Sequence, residues 1–283
     1  MRIASALVAL PLLAAAPAFA QDRTDAPAID PAELDKDSLM IGIGAGQVPS
    51  YEGSDDTVWS VVPGIRGRVS RINFTIRGNR AWADIVPTRG GPGWDLQAGP
   101  LVNVNFNRSA AIKDPQVLAL GRINTAIELG GIVGLGKQGV ITSDYDKLTV
   151  TVGYVHDVNK VHSSYVITPS IDYGTPLSRK AYVGLSLSAN YMGEGYANTY
   201  FGVTPAGSLA SGLPAYNARK GWKDWTIGAL ANLSLTGDLT HGLSAIGAVS
   251  YRRMLNSAAD SPLVSVAGSP DQWVFAGGLA YTF

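Results

Sequence analysis

DQWVFAGGLAYTF, residues 271–283, ends the chain and carries large apolar side chains at alternate positions. Those side chains are Trp273, Phe275, Leu279, Tyr281 and Phe283. Successive side chains of a strand point to opposite faces, so this strand has one bulky apolar face and one face of small residues. At about 3.3 Å per residue and a tilt of about 40°, its two aromatic ends lie about 25 Å apart along a membrane normal, the height of the apolar band of a transmembrane barrel. A strand of a soluble sandwich can alternate in the same way, so the rest of the chain must decide.

The same alternation recurs from residue 39 onward and predicts about twelve strands. The predicted strands are 39–46, 57–66, 70–77, 79–87, 94–106, 121–134, 146–157, 163–174, 181–192, 224–235, 242–253 and 271–283. Their polar faces consist mostly of Ser, Thr, Asn and Gly, whereas a soluble sandwich would expose a charge-rich face. We therefore predict an all-β fold, a transmembrane antiparallel up-and-down β-barrel over residues 39–283. Ten or fourteen strands are also compatible with the pattern.

The start of the chain is typical of an export signal. Arg2 precedes an apolar run over 3–16, and Ala18 and Ala20 form an A-x-A cleavage site before Gln21. The run is too short for a spanning helix. We predict a cleaved signal peptide at 1–20, a flexible periplasmic segment at 21–38, and a location in the outer membrane of a Gram-negative bacterium.

Composition excludes several classes of protein. The formal net charge is zero, which argues against a nucleic-acid partner. Cysteine is absent from the sequence, so disulfides and thiolate metal sites are excluded. Charged residues are 16% of the chain, below the roughly 25% of a typical soluble domain.

Candidate catalytic and ligand-binding motifs are weak. The glycines of the Gly42-x-Gly44-x-Gly46 run lack the strand-to-helix context of a dinucleotide fingerprint, and we interpret them as strand glycines. His156, His162 and His241 are scattered, and we predict polar loop or interfacial residues, not metal ligands. A G-x-S-x-G nucleophile motif is missing from the sequence. We therefore predict a protein that is not an enzyme and that binds no cofactor or metal.

Charged side chains divide between loops and lumen. The paired acids Asp55 with Asp56 and Asp144 with Asp146 are predicted to be solvated turn residues, with cation or lipopolysaccharide contact as the alternative. Four other charges fall on faces predicted to point inward, because a charge on the lipid face is costly. They are Arg77, Glu128, Asp172 and Arg252. Such charges form either a stiffening ion-pair network or a path for solutes.

The longest predicted loop, 193–223, is rich in aromatic residues and exceeds ordinary connection lengths. We expect it to be ordered, either as a plug folded into the lumen or as a recognition surface outside the barrel.

Four separated blocks of sequence resemble the MipA/OmpV family, the MltA-interacting outer-membrane proteins. The matching positions are Gly44, Gly46, Pro49, Tyr51, Gly53, Tyr200, Phe201, Gly202, Ser211, Gly212, Leu213, Pro214, Tyr216, Ser261 and Pro262. The resemblance implies an outer-membrane barrel in contact with lipid and lipopolysaccharide. It also implies that the aromatic carboxyl terminus is recognised by the barrel-assembly machinery.

The resemblance implies several alternative functions. The leading one is a scaffold in the cell envelope that binds a lytic transglycosylase and a penicillin-binding synthase during peptidoglycan remodelling. The others are a channel or permeability factor for small solutes and a surface adhesin.

Overall fold

The computed structural model describes residues 36–87, 92–109 and 112–283. Twelve strands in those residues form a closed antiparallel barrel, in which each strand pairs with its neighbours in sequence and β1 pairs with β12. The strands are β1 (Ser38–Pro49), β2 (Thr57–Val69), β3 (Ile72–Arg77), β4 (Arg80–Asp84), β5 (Gly93–Asn105), β6 (Ala126–Gln138), β7 (Lys147–Asp157), β8 (Tyr165–Pro176), β9 (Ala181–Met192), β10 (Gly221–Ser234), β11 (Gly242–Met254) and β12 (Asp271–Thr282). The predicted fold class is confirmed. The predicted signal peptide and most of the predicted segment 21–38 lie outside the described residues.

Five short helices of the described residues lie in the connections between strands. They are α1 (Pro115–Ala119), α2 (Glu194–Phe201), α3 (Pro205–Ser211), α4 (Asn256–Ala259) and α5 (Pro262–Ser265). In the described residues, every helix is too short or too polar to span a bilayer.

The two faces of the barrel wall follow the alternation in the sequence. On β12, the side chains of Trp273, Phe275 and Leu279 are each about half exposed and point outward. Most of the intervening positions are small or polar and point inward, where Gln272 and Ala280 are buried. The bulky face is therefore presented to lipid, and the small face lines the lumen.

Glycine allows the barrel to close at the β1–β12 seam. Gly44 of β1 lies opposite Gly278 of β12. A Cβ atom added to Gly44 would lie 2.5 Å from the Gly277 carbonyl oxygen, and one added to Gly278 would lie 2.5 Å from the Ile43 carbonyl oxygen. A larger residue at either position would force the strands apart.

Several predicted strand boundaries differ from those of the structure, among them the start of β6, the start of β3 and the end of β4. Strand β6 begins at Ala126, not at 121, because 121–125 belongs to a loop held by a hydrogen bond from the Ile123 N–H to the Arg108 carbonyl oxygen (2.9 Å). Strand β3 begins two residues later than predicted because Ser70 and Arg71 both adopt positive φ in the turn. Strand β4 ends at Asp84, before the predicted 87.

The connections differ in length at the two ends of the barrel. The end that holds the start of β1 and the end of β12 carries the connections 70–71, 85–92, 139–146, 177–180 and 235–241. Short turns face the periplasm in transmembrane barrels of this kind. The opposite end, the outer mouth, carries the long connections and all five helices.

Asp146 organises the inner turn 139–146. Its carboxylate accepts hydrogen bonds from the backbone N–H groups of Val140 (2.6 Å), Ile141 (2.8 Å) and Thr142 (2.6 Å). Burial opposes ionisation, but these donors outweigh it and hold the pKa of Asp146 well below its ordinary value. The prediction of a solvated turn residue is therefore wrong for Asp146, although Asp144 is exposed.

Candidate functional site

Four connections fold over the outer mouth and pack together. We call the connections 50–56, 112–125, 193–220 and 255–270 the cap. Their apolar side chains form one buried cluster, which contains Tyr51, Ile112, Val117, Val203, Leu213, Leu263 and Ala267. Burying an aliphatic or aromatic side chain stabilises a structure by roughly 1.5–3 kcal/mol, so this cluster holds the four connections together.

Tyr51 joins the first connection of the cap to the last. Its ring is buried, and its hydroxyl contacts the carbonyl oxygens of Leu263 (3.1 Å) and Ala267. Gly53 lies against Val264 so closely that an added Cβ would come within 2.3 Å of a Val264 methyl group. Its φ of +98° is also one that glycine adopts readily.

Helix α2 of the cap places three aromatic side chains against the barrel wall. Tyr196, Tyr200 and Phe201 are at most 2% exposed and belong to a second buried cluster, which includes Leu101, Val155 and Val166 from the barrel wall. The Ser261 hydroxyl donates to the Phe201 carbonyl oxygen (2.6 Å), which ties α2 to α5. The loop 193–220 is therefore a plug seated in the outer mouth, the first of the two predicted arrangements.

Below the plug lies a buried network centred on Glu52. The Glu52 carboxylate accepts hydrogen bonds from Lys223 Nζ (2.7 Å) and the Tyr196 hydroxyl (2.9 Å), and Arg252 Nη1 lies 3.5 Å away. Burial alone would raise the pKa of Glu52, but Lys223 and Arg252 outweigh it and hold that pKa below its ordinary value. Glu52 is therefore ionised at neutral pH.

A β-bulge supplies the lysine of this network. The register between β9 and β10 shifts between Trp222 and Asp224. Lys223 and Asp224 are consequently both buried, although neighbouring residues of a regular strand face opposite sides. Asp224 accepts a hydrogen bond from Asn190 (2.7 Å) and lies 3.5 Å from Lys223 Nζ.

A second buried carboxylate, Glu128, extends the network across the lumen. It contacts His162 Nε2 (3.1 Å) and accepts from Asn105 (3.0 Å) and Asn103 (2.7 Å). Asn105 also donates to the Tyr196 hydroxyl (3.3 Å), so Tyr196 links the two carboxylates. Burial raises the pKa of Tyr196 well above its ordinary value, and the phenol stays protonated.

A polar cavity of about 260 Å³ lies in the lumen beneath the network. It is lined by side chains from both walls, among them Arg80, Asn103, Glu128, Thr168 and Arg252. Glu128 and Arg252 therefore lie where the alternation predicted, in the lumen. Deeper in the lumen, the carboxylate of Asp172 interacts electrostatically with the guanidinium groups of Arg77 and Arg80.

The histidines are more varied than predicted. His156 is exposed near the outer rim of β7, and His241 is exposed beside Asp238 (3.2 Å) in a short turn. His162 lies in the loop between β7 and β8, and its side chain is fully buried against Glu128, Tyr196 and Tyr200, a burial that the sequence did not predict. In the described residues, no group of three potential metal-binding side chains occurs.

Most of the family-motif residues meet in the cap. Tyr51, Gly53, Tyr200, Phe201, Ser211, Leu213, Tyr216, Ser261 and Pro262 pack there, and Gly202, Gly212 and Pro214 lie in the same connections. Gly44, Gly46 and Pro49 lie on β1. The residues proposed for barrel assembly lie on the outward face of β12, except Phe283, which directly follows that strand. Ala18, Ala20 and Gln21 lie outside the described residues.

Sequence reasoning missed Glu52, Tyr196, Lys223 and His162 as members of one network. Their positions are far apart in the chain, and only the folded connections bring them together. The closest sequence signal is the charged pair Lys223 and Asp224, which interrupts an otherwise alternating strand.

These features define a transmembrane β-barrel of the outer-membrane class with a plugged outer mouth. A family model described as "MltA-interacting protein MipA" matches residues 41–283, and the chain belongs to this family.

No curated protein matches the chain. Among solved structures, it is similar to an outer membrane channel from Pseudomonas putida F1, with 10% identity, a TM-score of 0.46 and coverage of 87% of this chain and 95% of the other. It is also similar to the CymD monoaromatic hydrocarbon channel, with 11% identity, a TM-score of 0.39 and coverage of 90% and 91%.

Proposed function

We propose that this protein is an interaction protein of the cell envelope, a closed barrel that holds peptidoglycan-remodelling enzymes at the outer membrane. The plugged outer mouth carries the proposal, because two buried clusters of the described residues pack the cap into the outer end of the lumen, and we expect no open aqueous path while the cap is folded. The family description names a protein that interacts with MltA, which agrees with a lytic transglycosylase as one partner. A penicillin-binding synthase is the second partner that we propose.

The periplasmic turns supply a rigid surface for such partners. The connections 177–180 and 235–241 are joined by an ion pair between Arg179 and Asp238 (2.8 Å). Backbone hydrogen bonds reinforce it, from the Leu239 N–H to the Arg179 carbonyl oxygen (2.8 Å) and from the Ser234 N–H to the Lys180 carbonyl oxygen (2.7 Å). A surface that is ordered before binding loses less conformational entropy when a partner docks.

Capture of purified enzymes tests this proposal. The barrel, immobilised in detergent, is mixed with a lytic transglycosylase and, separately, with a penicillin-binding synthase. We expect both to be retained, and we expect Arg179→Glu to reduce retention because it breaks the link between the two turns. Arg122→Glu, an exposed site on the opposite face, is the matched control. Failure of the wild-type barrel to retain either enzyme would remove the proposal.

A gated channel for small solutes is the second candidate, and the polar cavity of about 260 Å³ favours it. Such a channel needs the cap to open, so its solute flux would depend on cap displacement. Liposome swelling with a small sugar distinguishes the two candidates, since a gated channel admits the sugar through the wild-type barrel and a closed platform does not.

An adhesin is the third candidate, and one exposed apolar residue favours it. Leu209 on α3 is 90% exposed at the surface of the cap. An adhesive cap would lose attachment to a host or abiotic surface in Leu209→Glu while the barrel remained folded. Unchanged attachment in that variant would count against this candidate.

A further inference from the structure

The polar cavity of the lumen is large enough to hold a small solute. Its volume is about 260 Å³. Since a water molecule takes about 30 Å³ of liquid, this space holds roughly nine water molecules or one solute of comparable volume. Each strand from β4 to β11 contributes at least one side chain to the lining, and Glu52 and Tyr196 of the cap border it as well. Ligand sites of β-barrels commonly occupy such a space near the mouth of the barrel.

Opposite charges balance each other around this cavity. Its described lining contains the cations Arg80, Lys223 and Arg252 and the carboxylates Glu52 and Glu128. Glu52 lies 2.7 Å from Lys223 Nζ and 3.5 Å from Arg252 Nη1. Asp224, which is buried 3.5 Å from the same Nζ atom, supplies a third negative charge. A charged solute would therefore leave an uncompensated charge in the interior, whereas a neutral solute would not.

Hydroxyl and amide groups follow the register of the strands along one side of the cavity. Thr226 of β10 lies directly opposite Ser188 of β9, and the Thr168 hydroxyl of β8 donates to Asn190 Oδ1 of β9 (2.8 Å). In the described residues, the Ser188 hydroxyl makes no hydrogen bond. The Thr226 hydroxyl accepts one from Arg252 Nε (3.3 Å) but donates none there. Both hydroxyls therefore retain hydrogen-bonding capacity for a solute.

Arg80 supplies further donors on another side of the cavity. Its guanidinium group reaches β7, where a Cβ atom added to Gly153 would lie 2.6 Å from Arg80 Nη2. Glu128 and Asp172 attract this group electrostatically and offset its charge. Within the part of the chain that the structure describes, however, its N–H groups donate no hydrogen bond. A hydroxyl oxygen of a solute can accept from them without changing the charge balance.

The lining also contains an apolar patch next to these donors. Leu101, Val155 and Val166 line the cavity and belong to the buried cluster that includes the aromatic residues of the plug. The Leu101 side chain approaches Gly153 as well, since Cδ2 would lie 3.1 Å from a Cβ atom added there. A sugar or another cyclic polyol carries C–H groups on its faces and hydroxyl groups on its rim. One such molecule can therefore contact both the apolar patch and the polar groups.

We propose that the cavity is a binding site for an uncharged polyhydroxyl solute of monosaccharide size. Ser188, Thr226 and Arg80 form hydrogen bonds with its hydroxyl groups, and Leu101 and Val155 contact its C–H groups. The balanced charges of the lining disfavour an ionised solute of the same size. The site lies in the lumen, so it depends neither on the periplasmic turns of the proposed function nor on passage of the solute through the barrel.

Equilibrium dialysis of radiolabelled glucose against the barrel in detergent tests the site, with an incubation long enough for slow entry. We expect saturable binding to wild type. Ser188→Ala removes one hydrogen bond and should weaken glucose affinity by about threefold to tenfold, and Ser188→Leu, which fills part of the cavity, should abolish binding. Ser186→Leu, on the same face of β9 but outside the cavity lining, is the matched control and should bind as wild type. Gel mobility before and after boiling checks that each variant is folded.

Charged relatives of glucose test the argument from charge balance. Glucuronate carries a carboxylate and glucosamine an ammonium group on a ring of similar size. We expect wild type to bind each of them about tenfold more weakly than glucose, because either one adds an uncompensated charge to the lumen. The proposal is overturned if wild type does not bind glucose saturably, if Ser188→Leu binds it as wild type does, or if either charged sugar binds as tightly as glucose.

Discussion

Glu52 shows how a single loop residue controls the interior of the barrel. It belongs to a connection outside the membrane, yet its carboxylate is held by Tyr196 from the plug and by Lys223 and Arg252 from strands β10 and β11. A buried carboxylate without its partners is costly, so the network is stable only when the cap and the bulge of β10 form together. The charge on Glu52 therefore couples the folding of the cap to the folding of the barrel wall.

Replacement of Lys223 with methionine tests this link. Lys223→Met removes the shortest contact to Glu52 and leaves its charge partly unpaired, so we expect a loss of about 1–3 kcal/mol in the free energy of unfolding. Urea unfolding followed by tryptophan fluorescence measures it. Lys220→Met, which changes an exposed lysine in the same segment, is the control. Equal stability of the two variants would show that the network contributes nothing.

Asp146 makes a prediction about pH. Its pKa in the folded state is below the unfolded value of about 4, so its stabilisation is present above that value and is lost as pH falls toward the folded pKa. Asp146→Asn should destabilise the barrel by about 1–3 kcal/mol at pH 7, with a difference that shrinks below about pH 4. Asp144→Asn, in the same turn but exposed, should change little. A difference for Asp146→Asn that is independent of pH would contradict this assignment.

Among the elements, the strands were predictable and the cap was not. Alternation has a period of two along each strand, so the positions of Trp273 and Gln272 in the pattern predict which face of the barrel wall each side chain occupies. The cap depends on contacts between distant residues, such as Tyr51 with Leu263, that carry no local pattern. The predicted strand ends were wrong where the sequence of a loop alternates as a strand does, as at residues 121–125. They were also wrong where a turn of non-glycine residues, such as Ser70–Arg71, adjoins an alternating segment.

The cap itself is tested through Tyr51. Tyr51→Phe keeps the buried ring but leaves the carbonyl oxygens of Leu263 and Ala267 without their donor. We expect faster proteolysis within 255–270, because the closing contact between the first and last connections is weaker. Limited proteolysis of the barrel in detergent measures the effect, and Tyr154→Phe, an exposed tyrosine of the outer wall, is the control. Identical cleavage patterns would mean that this contact does not hold the cap.

At the scale of the whole molecule, lipid stabilises the outer face of the barrel wall and the cap stabilises its inner face. The bulky face of each strand is solvated by acyl chains, and the small inner face leaves space for a plug and a polar cavity. Small side chains on the lumenal face therefore leave space that long connections rich in aromatic residues can fill at the outer mouth of the barrel. At the periplasmic end, the linked turns form the ordered surface that we propose for partners.

Single-channel recording in planar bilayers tests the closed mouth most directly. The comparison uses the wild-type barrel and a variant with Tyr51→Ala and Tyr196→Ala, which removes one anchor from each buried cluster. We predict that wild type inserts without steady current steps and that the double variant conducts. Steady open-channel current from the wild-type protein, equal to that of the variant, would contradict the account.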